Sequence, residues 1–162
     1  AATSFPHAAV AVDLTNSRII LAAWSAIDGA NADLRCWTVD ESTITETSTN
    51  VVLNGTDDQG LVAVSLDTGS GWTVFYGGKS DGTETYLTSI NIYFKVSKDA
   101  GATWGPETRL TTITRNIQFM CSVPRCINMG TCGVFYLTNL PNDELMYNAP
   151  ILKASAGYQM GI

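Results

Sequence analysis

Arginines, tyrosines and carboxylates are the residues here whose chemistry reaches beyond packing. Arg18, Arg35, Arg109, Arg115 and Arg125 each offer the planar fork that grips a carboxylate through two parallel N–H bonds. Arg18 and Arg35 adjoin apolar, strand-like runs, and Arg109 and Arg115 flank another. Arg125 alone follows such a run in a loop, Val123-Pro124-Arg125. It is therefore the one weak candidate for a catalytic or substrate-holding role, against the blander role of a solvated loop charge. Tyr136 and Tyr147 fall inside apolar runs and are expected to pack. Asp13 and Asp67 close apolar runs, where a carboxylate either caps a turn or faces a central site. The single histidine, His7, leaves a Ser-His-Asp triad without a convincing base. No complete catalytic set can be assembled, so the expectation leans away from an enzyme.

Cys36, Cys121, Cys126 and Cys132 include no C-x-x-C pair, and with one histidine no metal site and no cofactor are expected. Cys126 and Cys132 bracket a short loop. They either close it as a disulfide in an oxidising compartment or remain small buried thiols. The indoles Trp24, Trp37, Trp72 and Trp104 sit in or beside apolar runs, where packing is favoured over sugar stacking. The sequon Asn54-Gly55-Thr56 has meaning only in a eukaryotic secretory setting.

Those groups must be held by a largely uncharged chain. Of 162 residues, 45% are apolar and 15% charged, with a net charge of −6. That balance argues against a nucleic-acid binder, which needs clustered cations. No apolar run is long enough for a transmembrane helix. A start at Ala1-Ala2-Thr3 suggests a processed protein or a piece of a longer one. The Thr-, Ser-, Gly- and Asn-rich composition suggests an extracellular, secreted or virion-associated setting.

The elements come in repeats. Val10-Ala11-Val12-Asp13-Leu14 matches Val62-Ala63-Val64-Ser65-Leu66, and Phe119-Met120-Cys121-Ser122-Val123 carries the same alternation. Each is followed by a polar turn and a second apolar run, with Val-Phe-Tyr recurring at Val74-Phe75-Tyr76 and Val134-Phe135-Tyr136. Third runs follow at 34–39, 92–96 and, more weakly, 144–147; fourth runs follow at 45–53 and 108–112. Strands in sets of four joined by polar turns predict an all-β chain of three antiparallel units, about 8–55, 56–113 and 114–162, within a single domain.

The middle unit contains Ser97-Lys98-Asp99-Ala100-Gly101-Ala102-Thr103-Trp104. Asp99 suits a tight turn, Gly101 tolerates positive φ, and Trp104 is large enough to cover the hairpin end. This stretch resembles the Asp box (Ser97, Asp99, Gly101, Thr103, Trp104) of the sialidase-like, BNR-repeat β-propellers. The resemblance implies a hairpin between the third and fourth strands of a blade, away from any substrate pocket, and a structural role for Asp99. The first unit reads Asp40-Glu41-Ser42 at that place, and the third has no such hairpin. A second S-x-D-x-G spacing, Ser65 to Gly69, falls between first and second strands and reads as coincidence in a Gly-rich turn.

A catalytic sialidase would need an arginine triad, a Tyr–Glu nucleophile and an acidic residue, and none of the arginines here lies in the F-R-I-P context of that family. The resemblance therefore implies a partial propeller of about three four-stranded blades, too few to close a ring, since closure takes about 4 to 8. Pairing into a six-bladed ring, further sequence, or other subunits would complete it. The functional expectation is a non-catalytic module for glycan or surface recognition or for structural assembly, with a fragment of a sialidase-type glycoside hydrolase as the alternative. Expected partners are a glycan or protein surface and the subunits that complete the ring, with neither nucleic acid nor membrane insertion. Contact is expected at the polar loops 25–33 and 77–89, around Asp28, Asp33, Lys79 and Asp81.

Overall fold

The computed structural model describes residues 8–25, 33–53, 61–67, 71–78, 83, 91–113, 117–123, 125–126, 132–138, 144–149 and 158–159. His7, Asp28, Asn54, Lys79, Asp81 and Arg115 lie outside them. All regular elements among the described residues are strands: β1 (Ala8–Asp13), β2 (Arg18–Ser25), β3 (Asp33–Asp40), β4 (Glu46–Leu53), β5 (Val62–Leu66), β6 (Trp72–Gly77), β7 (Ile92–Ser97), β8 (Thr108–Arg109), β9 (Ile117–Ser122), β10 (Val134–Thr138), β11 (Glu144–Asn148) and β12 (Tyr158–Gln159). They form three open, four-stranded antiparallel sheets, each an ordered meander of consecutive strands. The chain is thus all-β, as the fourfold runs predict.

Alternation explains how the sheets stack. In β2, Ile20, Ala22 and Trp24 are buried while the residues between them are half-buried. Those three join Leu34 and Cys36 of β3 in a core against Val62, Val64, Leu66, Trp72, Val74 and Tyr76 of the middle sheet. The opposite face of the middle sheet, with Ala63, Phe75 and Phe94, packs against Met120, Val134 and Tyr136 of the third sheet. Hence β5 and β6 are buried at every position, as befits strands covered on both faces.

The first strands of the sheets lie together, β1 against β5 and β5 against β9. At the second contact, Ser65 Oγ donates to the Val123 carbonyl and Ser122 Oγ donates to the Val64 carbonyl. Trp24 Nε1 reaches across to the Leu61 carbonyl at 3.3 Å, tying the second strand of one sheet to the entry of the next.

Aspartates shape the hairpin ends. Asp13 Oδ1 accepts the N–H groups of Thr15 and Asn16 (3.1 and 3.2 Å) between β1 and β2. Asp40 Oδ1 accepts those of Ser42 and Thr43, both at 2.9 Å, between β3 and β4. Asp67 Oδ1 accepts Gly71 N–H at 2.9 Å between β5 and β6. So Asp13 and Asp67 are turn residues. Asp67 and Asp99 each bind the N–H four residues on, in two different hairpins, but Ser65 turns to the Val123 carbonyl whereas Ser97 bonds within its own turn.

Three expectations shift. Met120, not Phe119, occupies the place of Val62, because Met120 pairs with Tyr136 as Val62 pairs with Tyr76. Neighbouring apolar residues at 119 and 120 leave alternation undecided, and a one-residue offset exchanges the faces; Met120 is 4% exposed and Phe119 49%. The fourth strand of the middle sheet is two residues long rather than spanning 108–112, since Ile92 N–H is taken by the Thr111 hydroxyl at 2.9 Å. In the third sheet a fourth strand, β12, pairs with β11 at Met146 and Tyr147.

Candidate functional site

The Asp-box segment links β7 to β8, the third and fourth strands of the middle sheet. Ser97 is buried at the end of β7. Its Oγ donates to Asp99 Oδ1 at 2.7 Å and accepts Gly101 N–H at 2.8 Å. Asp99 in turn accepts Thr103 N–H at 2.9 Å and the Thr103 hydroxyl at 2.5 Å. These donors hold the carboxyl of Asp99 down at about 2, the Thr103 hydroxyl having the largest effect. Ala100 and Gly101 are both left-handed (φ 53° and 84°), and a Cβ on Gly101 would collide with the ring of Trp72. Trp104 packs half-buried against the core between the first and middle sheets. Ser97, Asp99 and Thr103 are all engaged in shaping the turn, and the lowered carboxyl of Asp99 carries no proton to exchange near neutral pH.

At the meeting of the first strands there is a cleft of about 240 Å³, lined by residues 8–10 of β1, Val62 and Ala63 of β5, and residues 119–122 of β9. Each of these strands has a single hydrogen-bonded neighbour in its sheet, so its other edge keeps backbone donors and acceptors that no sheet partner takes, although the Val64 and Leu66 carbonyls of β5 are engaged by Ser122 and Cys126. The alanines Ala8, Ala9 and Ala63 leave that backbone approachable. Among the described residues the lining includes no Asp, Glu, His, Lys or Arg. Its polar side chains are the exposed thiol of Cys121 and the hydroxyl of Ser122, which is engaged with the Val64 carbonyl. Such a surface can hydrogen-bond a ligand but has no side chain suited to general acid–base work at neutral pH.

One pair matches the outline of a phenol activated by a carboxylate. Tyr76 Oη donates to Glu107 Oε2 at 2.9 Å. Tyr76 is fully buried, edge-on to Trp24 with centroids 6.3 Å apart and stacked on Tyr93 at 6.4 Å. Burial first, and then the charge of Glu107, raise its phenol far above the ordinary value. A nucleophile needs the reverse shift and access to substrate. The pair satisfies a buried hydroxyl instead. Nothing in the sequence alone joins Tyr76 to Glu107, because the bond crosses from β6 to the segment before β8.

Of the expected site residues, Arg125 and Asp33 are described and do not converge, while Asp28, Lys79 and Asp81 lie outside the described residues. Arg125 is exposed and makes an isolated parallel bridge to Leu66, beside Cys126, whose N–H binds the Leu66 carbonyl at 2.8 Å. That is the end of β5 where the Asp67 turn begins. Asp33 pairs with Ser25 at the opposite end of its own sheet from Asp13 and Asp40. It is buried and lies 3.4 Å from Arg35 in an ion pair. Arg18, at the Asp13–Asp40 end of the same sheet, is likewise remote from Asp33. Cys126 and Cys132 are joined in a disulfide with Cα atoms 5.3 Å apart. Among the described residues no group of three or more His, Cys, Asp or Glu is placed to hold a metal ion, and no helix is long and apolar enough to cross a membrane.

The chain matches no model of a known protein family, and no curated protein is similar to it in sequence.

Proposed function

We propose that this chain is a non-catalytic segment of a sialidase-like, Asp-box β-propeller that serves surface recognition, with a glycan as the ligand class, within an extracellular or virion-borne assembly. The observation that carries the reading is the cleft along β1, β5 and β9. It gathers three strand edges, with Ala8, Ala9 and Ala63 in its lining, along the first strands of the sheets, where a propeller would have its central channel, and among the described residues it brings no acid or base. Three further features support it: consecutive four-stranded meanders, their face-to-face stacking, and the Asp-box hairpin between third and fourth strands. Backbone edges suit the dense hydroxyl groups of a sugar, which both donate and accept.

The test has two arms on the same preparation. Titration against a panel of immobilised and soluble glycans is expected to show saturable binding, weakened by Ala9→Trp, which fills the cleft. Incubation with a fluorogenic sialoside is expected to release no fluorophore. Turnover that disappears in Arg125→Ala would instead make the chain part of a glycoside hydrolase and overturn the reading.

A further inference from the structure

The molecule makes one kind of sheet-on-sheet junction twice and leaves both halves of that junction bare at its ends. In the middle sheet, Val62 and Val64 of β5 face the first sheet and are 3% and 1% exposed. Their counterparts in β1, Val10 and Val12, stand opposite Leu21 and Ile19 of β2, on the face away from Ala11, Ile20 and Ala22, which meet the middle sheet. Yet they are 57% and 43% exposed. The first sheet thus presents outward the face that its neighbour presents to it.

The third sheet is bare on the complementary side. Because Met120 stands where Val62 does, Cys121, Phe135 and Tyr147 stand where Ala63, Phe75 and Phe94 do. Phe75 and Phe94 meet with centroids 6.1 Å apart at 46°, inside the second junction. Phe135 and Tyr147 repeat that arrangement at 4.8 Å and 47°, with both rings half-buried. Phe119 on the same face is 49% exposed.

We infer that both faces are covered by a second copy of this chain, docked head to tail. The outer face of the third sheet of each copy seats on the outer face of the first sheet of the other. The occupant follows from continuity with the two internal junctions. A bare face of each type is present on one chain, so a second copy satisfies both ends at once with counterparts of the faces that meet inside the chain. Two such contacts related by a two-fold axis close, whereas the same contact without closure runs on into a filament. Closure, and only closure, rests on the propeller reading above: two copies bring the sheet count into the range of about 4 to 8 in which such rings form.

A thiol pair tests the docking. Ala63 and Met120 share the core of the second junction, so their counterparts Cys121 of one copy and Val10 of the next are expected to face each other. Both also border the cleft within one chain, so the link is read from the doubled mass, and a link confined to single chains overturns the docking. Cys121 is an exposed free thiol, and Cys36 is buried. In the full chain carrying Val10→Cys, oxidised glutathione is expected to link most of the protein into disulfide-bonded species between copies, with none formed once Cys121→Ser is added. Ile44→Cys, on the remote and exposed β3–β4 turn, is the control and is expected to stay unlinked. Without any thiol change, sedimentation is expected to give twice the 17.3 kDa of one chain. Val12→Lys is expected to weaken association about 100-fold or more by leaving a charge in an apolar junction, with the far-ultraviolet spectrum unchanged.

A 17.3 kDa species at tens of micromolar, linking that survives Cys121→Ser, or linking of Ile44→Cys to the same extent would each overturn the second copy as occupant. A Cys121-dependent ladder extending past two chains would uphold the head-to-tail docking and sink the ring, so failure of the propeller reading is told apart from failure of the docking.

Discussion

Asp13, Asp40, Asp67 and Asp99 do the same work in four hairpins, yet they differ in how openly they do it. Asp13 is buried, whereas Asp40 and Asp99 stand in water with their carboxyls held at about 2 by neighbouring hydroxyl and N–H donors. For both, the folded value lies below the unfolded one. Their contribution is therefore complete above about pH 4 and is lost as pH falls towards 2. Thermal melts between pH 5 and 2 are expected to show a falling midpoint, with a shallower fall in the Asp40→Asn, Asp99→Asn double variant. Backbone conformation gives a sharper contrast. Gly101, at φ 84° with Trp72 against its α-carbon, is expected to lose about 2–4 kcal/mol as Gly101→Ala. Ile44 is the opposite case: a β-branched residue at φ 52° and 69% exposed. Ile44→Gly is expected to gain about 1 kcal/mol in urea unfolding by removing the left-handed penalty.

At the level of elements, the strands were readable because polar turns interrupt apolar alternation at every hairpin. Val74-Phe75-Tyr76 and Val134-Phe135-Tyr136 announced two second strands, whereas Asp13 and Asp67 suited a turn cap and a central site equally until their bonds to the turn N–H groups decided it. What alternation does not encode is which of two adjacent apolar residues faces inward. Phe119 and Met120 show this, since only pairing with β10 decides between them. Contacts between sheets were hidden for a different reason. The reciprocal Ser65–Val123 and Ser122–Val64 bonds and the Tyr76–Glu107 pair join segments far apart in sequence, and no local spacing carries that information. The candidate cleft was invisible for the same reason, being built of backbone edges and alanines rather than of reactive side chains. The equivalence of sheets makes a measurable distinction between matched residues. Phe75 is fully buried in the second junction, and Phe75→Ala is expected to cost about 3–5 kcal/mol. Its counterpart Phe135 lies on a bare face, so under dilute, monomeric conditions Phe135→Ala is expected to cost less than half as much in the same urea titration.

For the whole molecule, the open question of stability is the state of its two ends. The middle sheet is covered on both sides, and the outer sheets on one side each. Val10, Val12 and Phe119 thus remain in water although they belong to strands patterned for burial. Apolar surface of this kind gains free energy whenever it is covered, at about 25 cal/mol per Å². Any process that covers it only in the folded state pulls the folding equilibrium by mass action. The melting midpoint of the wild-type chain should therefore climb with protein concentration. An isolated three-sheet unit would melt at one temperature throughout. Differential scanning calorimetry over a hundredfold concentration range is expected to show an upward drift of several degrees. The drift should vanish in Val12→Lys, whose midpoint should equal that of the wild type at the dilute limit, because Val12 contributes little to the monomer core. A wild-type midpoint independent of concentration would place the entire stability of the fold in its two internal junctions and leave the bare faces without a role in folding.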